Sequence, residues 1–68
     1  MDIREKFGKR LRELRISQKL TQEKLAERAN LHWTYVGQCE RGVRNPSLIN
    51  LQKLARALSV SSGELLPF

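Results

Sequence analysis

Apolar residues in this chain recur at the α-helical period in five short segments. Nowhere do they alternate with polar residues over a β-branched run. That pattern argues against a sheet and leaves one arrangement, several short helices that bury their stripes against one another. Sixty-eight residues give room for one domain, spanning 1–68. A domain this small buries only about 60% of its unfolded surface, and it has no covalent or metal staple. One Cys cannot close an internal disulfide, and one Cys with one His cannot make a four-ligand zinc site. The expected fold class is all-α, a compact five-helix bundle, for which a second subunit would supply further burial.

The segments carry their own start and stop signals. The first runs from about residue 3 to 18, with Ile3, Phe7, Leu11 and Leu14 as its stripe. Asp2 and Glu5 are spaced as a capping box, and Asp2–Lys6 and Glu5–Lys9 as favourable i,i+4 pairs. Gly8 lies inside this segment at a cost of about 1 kcal/mol relative to Ala. Thr21 caps the second segment, about 22 to 29, with Leu20 placed to staple onto Leu25. Asn30 suits a left-handed turn. The third segment, about 33 to 41, ends at Gly42, a residue suited to a left-handed cap. After the loop Val43-Arg44-Asn45-Pro46, Ser47 caps a fourth helix over about 48 to 58. Its expected inner face is Leu48, Leu51, Leu54, Ala55 and Leu58. Ser61 and Glu64 then form a second capping box for a last short helix.

The second and third segments, joined by Asn30-Leu31-His32, have the plan of a helix-turn-helix over about 22–41. In that plan the second helix enters the major groove of DNA. Advancing about 100° per residue turns Val36 and Cys39 toward the core. The same rotation puts Trp33, Thr34, Gly37, Gln38 and Arg41 on the opposite side, with Tyr35 and Glu40 on the flanks. The outward face carries no acidic residue, which suits a surface that approaches phosphates. Lys and Arg outnumber Asp and Glu by 13 to 7, for a net charge of +6, so a polyanion is the expected partner. Seven of those cations (Arg4, Lys6, Lys9, Arg10, Arg12, Arg15 and Lys19) precede the second segment.

Leu20-Thr21-Gln22-Glu23-Lys24-Leu25-Ala26, Glu40-Arg41-Gly42, Arg44-Asn45-Pro46-Ser47-Leu48 and Leu54-Ala55-Arg56-Ala57-Leu58 resemble the Xre family, the five-helix domain of lambdoid phage repressors and Cro proteins. Thr34-Tyr35-Val36 with Glu40-Arg41 and Arg44-Asn45 is also similar to restriction–modification controller proteins. The resemblance implies a sequence-specific regulator that binds a palindromic operator as a homodimer. It implies base contacts from Trp33, Thr34, Gly37 and Gln38. It implies backbone contacts from Gln22, Tyr35, Arg41, Arg44 and Asn45, and an ion pair between Arg15 and Glu40. Two positions depart from the family pattern. His32 stands where Ser or Thr usually caps the recognition helix, and Gly37 stands where a side chain usually reaches DNA.

From the residues themselves, Gln38 is able to pair bidentately with adenine, and Thr34 to meet a thymine methyl. Arg41, Arg44, Lys9 and Arg10 are either phosphate contacts or solubility charges. Cys39 reads as a small buried hydrophobe and His32 as a turn residue. Leu65, Leu66, Pro67 and Phe68, apolar at the chain end, are the expected dimer surface. An enzyme is not expected, because the sequence holds no carboxylate pair, Ser/His/Asp set, metal cluster or Gly-rich phosphate loop. A toxin-neutralising or adaptor module would need a partner-binding segment that 68 residues leave little room for. No membrane span, cofactor or small-molecule ligand is expected, and the expected location is the cytoplasm of a bacterium, as a host or phage product.

Overall fold

A computed structural model of the chain describes residues 2–68. Among these residues five α-helices follow in order: α1 (Ile3–Ser17), α2 (Gln22–Ala29), α3 (Trp33–Glu40), α4 (Leu48–Ala57) and α5 (Ser62–Leu65). No strand occurs among the described residues. The all-α, five-helix expectation holds, with helix limits displaced by no more than one residue; Arg41 is the C-cap of α3 rather than its last turn.

Each helix begins on a side chain that accepts an otherwise orphaned backbone N–H. Asp2 accepts from Arg4, and Glu5 reaches back to the Asp2 N–H, completing the capping box. Thr21 caps α2, Ser47 caps α4, and Ser61 with Glu64 forms the second capping box. Such caps are worth about 1 kcal/mol each. The first four helices also end alike. A residue with positive φ follows each one: Lys19 (58°), Asn30 (56°), Gly42 (78°) and Ser59 (56°). The next residue then donates back to a carbonyl five positions earlier: Leu20 to Arg15, Leu31 to Ala26, Val43 to Gln38 and Val60 to Ala55. These are Schellman closures, and an apolar residue follows the left-handed one every time. Asn30 and Gly42 are legible in the sequence, whereas Lys19 and Ser59 carry no such signature.

The core draws on every helix. Phe7 and Leu11 of α1 meet Leu25, Ala26 and Ala29 of α2, Val36 and Cys39 of α3, Leu54 and Ala55 of α4, then Leu58 and Leu65. Burial pushes the Cys39 thiol pKa up, as befits a small inward hydrophobe. Three apolar expectations need correction. Ile3 and Leu48 are 56% and 83% exposed, because the first turns of α1 and α4 overhang the bundle. Leu65 is fully buried and belongs to the core, not to a dimer surface. The expected Asp2–Lys6 and Glu5–Lys9 pairs are not among the ion pairs of the described residues; Asp2 instead holds Arg4 at 3.0 Å. Arg10 also staples α1 to α5, its Nε donating to the Glu64 carbonyl at 2.8 Å. Gln18 Nε2 likewise donates to the Leu58 carbonyl at 2.6 Å.

Gly8 has a packing reason that its helix propensity conceals. A Cβ at this position would collide with the Cys39 carbonyl and lie 2.6 Å from the Glu40 carbonyl oxygen. The backbones of α1 and α3 therefore touch here, and α3 is held directly against the longest helix.

Candidate nucleic-acid interface

The helix-turn-helix is built from α2, the turn at residues 30–32 and α3. A buried carboxylate locks the two helices together. The Glu40 side chain, 3% exposed, accepts from Arg15 Nε at 2.6 Å, from Arg15 Nη2 at 3.0 Å and from Gln22 Nε2 at 3.1 Å. Arg15 Nη1 also donates to the Leu20 carbonyl at 2.7 Å. One carboxylate thus joins the end of α1, the start of α2 and the end of α3. The fork-to-fork geometry is the strong form of a charged hydrogen bond, and the bond to Glu40 raises the Arg15 pKa further above its ordinary value. The Arg15–Glu40 pair implied by the resemblance is present, and Gln22 joins it as a third member.

The outward side of α3 begins with an aromatic ledge. His32 caps the helix, its Nδ1 accepting the Thr34 N–H at 3.2 Å, and its ring stacks on Trp33 with centroids 5.8 Å apart. Nδ1 also lies 2.7 Å from the Thr34 hydroxyl. His32 therefore does the capping work usually given to Ser or Thr. Trp33 is 53% exposed, so its ring projects from the surface instead of folding into the core. Thr34 is exposed beside it.

Gly37 differs from expectation. It is buried, and a Cβ built on it would lie 3.3 Å from Arg41 Nη1 and 3.4 Å from Gln22 Oε1. Those two side chains cover it, so in this conformation Gly37 presents no open backbone to a ligand. Its role is to let Gln22 and Arg41 lie flat across α3. Arg41 itself is exposed.

The loop after α3 supplies the rest of the surface. Arg44 and Asn45 are exposed, whereas Tyr35 and Gln38 are half-buried. The Arg44 guanidinium lies 5.1 Å from the centre of the Tyr35 ring, within cation–π range. Its Nε donates to Gln38 Oε1 at 3.0 Å. Burial raises the Tyr35 phenol pKa. Sequence reasoning placed Gln38 and Arg44 in separate roles and missed that they touch. Nothing in their spacing shows it, because a loop brings them together.

Trp33, Thr34, Gln38, Arg41 and Arg44, with Gln22 at the edge, thus form one polar and basic surface. The expected dimer residues lie elsewhere. Leu66 and Pro67 are half-buried and Phe68 is 81% exposed. Together with Ile3, Phe7 and Leu51 they line an open apolar groove, which continues through Leu51 and Leu66 to Leu48 and Ile49 at the start of α4. Leu48 and Ile49 were not expected there. No helix of the described residues is long and apolar enough to cross a membrane.

Comparison with known proteins gives consistent relatives. The sequence pattern of the helix-turn-helix family matches residues 11–65. The control protein C.BamHI of Bacillus amyloliquefaciens is 46% identical over 68 residues, covering 98% of this chain and 84% of that protein. The crystal structure of the restriction–modification controller protein C.AhdI from Aeromonas hydrophila superposes with a TM-score of 0.91 at 52% identity, covering 93% of this chain and 96% of that one. The controller C.Esp1396I, solved as a tetramer in complex with its natural 35 base-pair operator, superposes with a TM-score of 0.84 at 31% identity, covering 90% of this chain and 80% of that one.

Proposed function

The chain belongs to the helix-turn-helix family, and on that premise we propose that it is a restriction–modification controller, a transcriptional regulator that binds a palindromic operator in double-stranded DNA as a homodimer. The observation that carries this reading is the α3 surface. Trp33, Thr34 and Gln38 offer aromatic and hydrogen-bonding contacts on a helix that Glu40 fixes against both of its neighbours. Held this way, α3 loses little freedom when it enters the major groove, which lowers the entropic cost of reading base edges. Gln22, Arg41, Arg44 and Asn45 are placed around it to meet phosphates, and Tyr35 supports Arg44 from below. Gly37 serves as the floor under Gln22 and Arg41.

The whole chain acts as one DNA-binding domain, and its activity is binding rather than catalysis. Its target, duplex DNA, places it in the cytoplasm. Two protomers joined through the apolar groove would set two copies of α3 in successive major grooves, about 34 Å apart.

Selection of binding sites from random duplexes tests the proposal. The expected result is a palindrome whose half-site centres are about one helical turn apart. If the dimer neutralises about eight phosphates, log K against log salt has a slope of about −7. A slope near zero, or no enriched sequence, would overturn the reading.

A further inference from the structure

We infer that the first turn of α3 recognises a C5-methyl on a pyrimidine, carried by thymine or by 5-methylcytosine, through a Trp33 ring that His32 holds in place. Trp33 is then a specificity residue and His32 its positioning residue, and cytosine methylation at one position of a half-site strengthens binding. The inference rests on the DNA-binding reading above and names the group that this part of the surface recognises.

The aromatic ledge is fixed from within the chain. The Thr34 N–H can only donate, and it donates to His32 Nδ1 at 3.2 Å. Nδ1 therefore carries no hydrogen, and in the neutral imidazole Nε2 does. The Thr34 hydroxyl, 2.7 Å from the same nitrogen, accordingly gives Nδ1 its one hydrogen. These two bonds set the imidazole plane. The Trp33 ring stacks on it, with centroids 5.8 Å apart and planes 27° from parallel. The indole is thus held at the start of α3 while Trp33 stays 53% exposed. The N-terminal residues of a recognition helix are those that meet base edges, so a pre-set apolar plate occupies the place of contact.

That plate suits one feature of the major groove. The donors and acceptors of the base edges lose water against an indole face and gain no bond from it. A C5-methyl is apolar and gains by the contact. The Thr34 oxygen keeps lone pairs that any base amino group can use, so the threonine alone does not discriminate; the indole supplies the preference. A phosphate is the poorer occupant here, because Glu23 and Glu27 of α2 line the dent beside His32 and Trp33 and repel it. Burying one methyl group corresponds to about a fourfold gain in affinity.

Duplexes that differ by the methyl alone test this on a selected site. Each pyrimidine position of a half-site is offered as thymine against deoxyuridine, and as 5-methylcytosine against cytosine. At one position the wild type should bind the methylated member of both pairs about fourfold more tightly. Trp33 is exposed, so Trp33→Ala should keep the thermal melt and bind both members equally. His32→Asn keeps a capping side chain without the ring; it should keep the melt and shrink the methyl preference toward that of Trp33→Ala. Equal binding of both members at every position by the wild type overturns the inference. So does a Trp33→Ala variant that binds more weakly with its methyl preference intact. A preference in the thymine pair alone overturns the response to cytosine methylation, and a full preference in His32→Asn overturns the positioning role. A wild type that retains no duplex overturns the DNA-binding reading itself, and this inference with it.

Discussion

The corner where α1, α2 and α3 meet and the face formed by the start of α4 with the chain end are finished to different degrees. At the corner every strong group has its partner inside the chain. Glu40 is held by Arg15 and Gln22, the backbones of α1 and α3 touch at Gly8, and the Arg15 fork closes on Leu20. The α4 face is apolar and open, with Leu48, Ile49 and Phe68 exposed around a groove. A region that must present an unvarying shape to DNA is completed within one protomer. On the proposed reading, the open region is the one that a second protomer completes. Contiguous exposed apolar surface of this kind marks an association site.

Breaking the corner should therefore cost the fold, and breaking the face should cost only association. The largest effect is expected from Glu40→Ala, which leaves the partly buried Arg15 charge without its carboxylate and should cost about 3 kcal/mol, a large share of the stability of a domain of this size. A thermal melt reads it directly. A melt near that of the wild type would show that the carboxylate is not what holds the corner. Gly8→Ala comes next. An alanine should stabilise an isolated helix, yet here it must push α1 away from α3, at about 1–3 kcal/mol or more. A stabilised variant would contradict the backbone contact. At the open face, Leu48→Glu should leave the monomer's far-UV spectrum unchanged while weakening the dimer. Burial of one leucine is worth about 1.5–3 kcal/mol, so sedimentation should show dissociation at least tenfold weaker.

Smaller effects sharpen the same contrast. Lys19→Gly relieves a left-handed residue at the end of α1 and should raise stability by about 0.5–1 kcal/mol, read as a modest rise in Tm. The pKa of the Cys39 thiol and of the Tyr35 phenol are both raised by burial. A raised pKa means that the folded state keeps its proton longer than the unfolded one. The stability tied to these protons is complete below the ordinary thiol value of 9.0 and declines as pH rises beyond it. Melts should accordingly be insensitive to these two groups between pH 7 and about 8.5 and fall at higher pH, with a shallower fall in Cys39→Ala.

Local signals in the sequence correspond closely to local structure. Thr21, Ser47 and the two capping boxes announce helix starts because their side chains act within three residues. Asn30 and Gly42 announce left-handed turns because their residue types favour them. What stayed hidden depends on residues far apart in the chain. Gly8 looks like a simple propensity cost until Cys39 and Glu40 are seen against it. Leu48 completes an apolar stripe on paper, but the first turn of α4 extends past its neighbours. Leu65 looks like part of an apolar tail, yet α5 turns it into the core. Lys19 and Ser59 take the left-handed form without any residue-type signal, although the apolar Leu20 and Val60 that follow them could have marked the closure. The Gln38–Arg44 bond arises from the loop alone.

The division of labour between the two regions is tested most directly by the stoichiometry of the complex on a selected palindrome and on its isolated half-site. Sedimentation of mixtures at matched salt should show two protomers on the palindrome at concentrations where the half-site holds almost none, and Leu48→Glu should abolish that difference. Equal affinity for the half-site and the palindrome, with one protomer on each, would contradict the account.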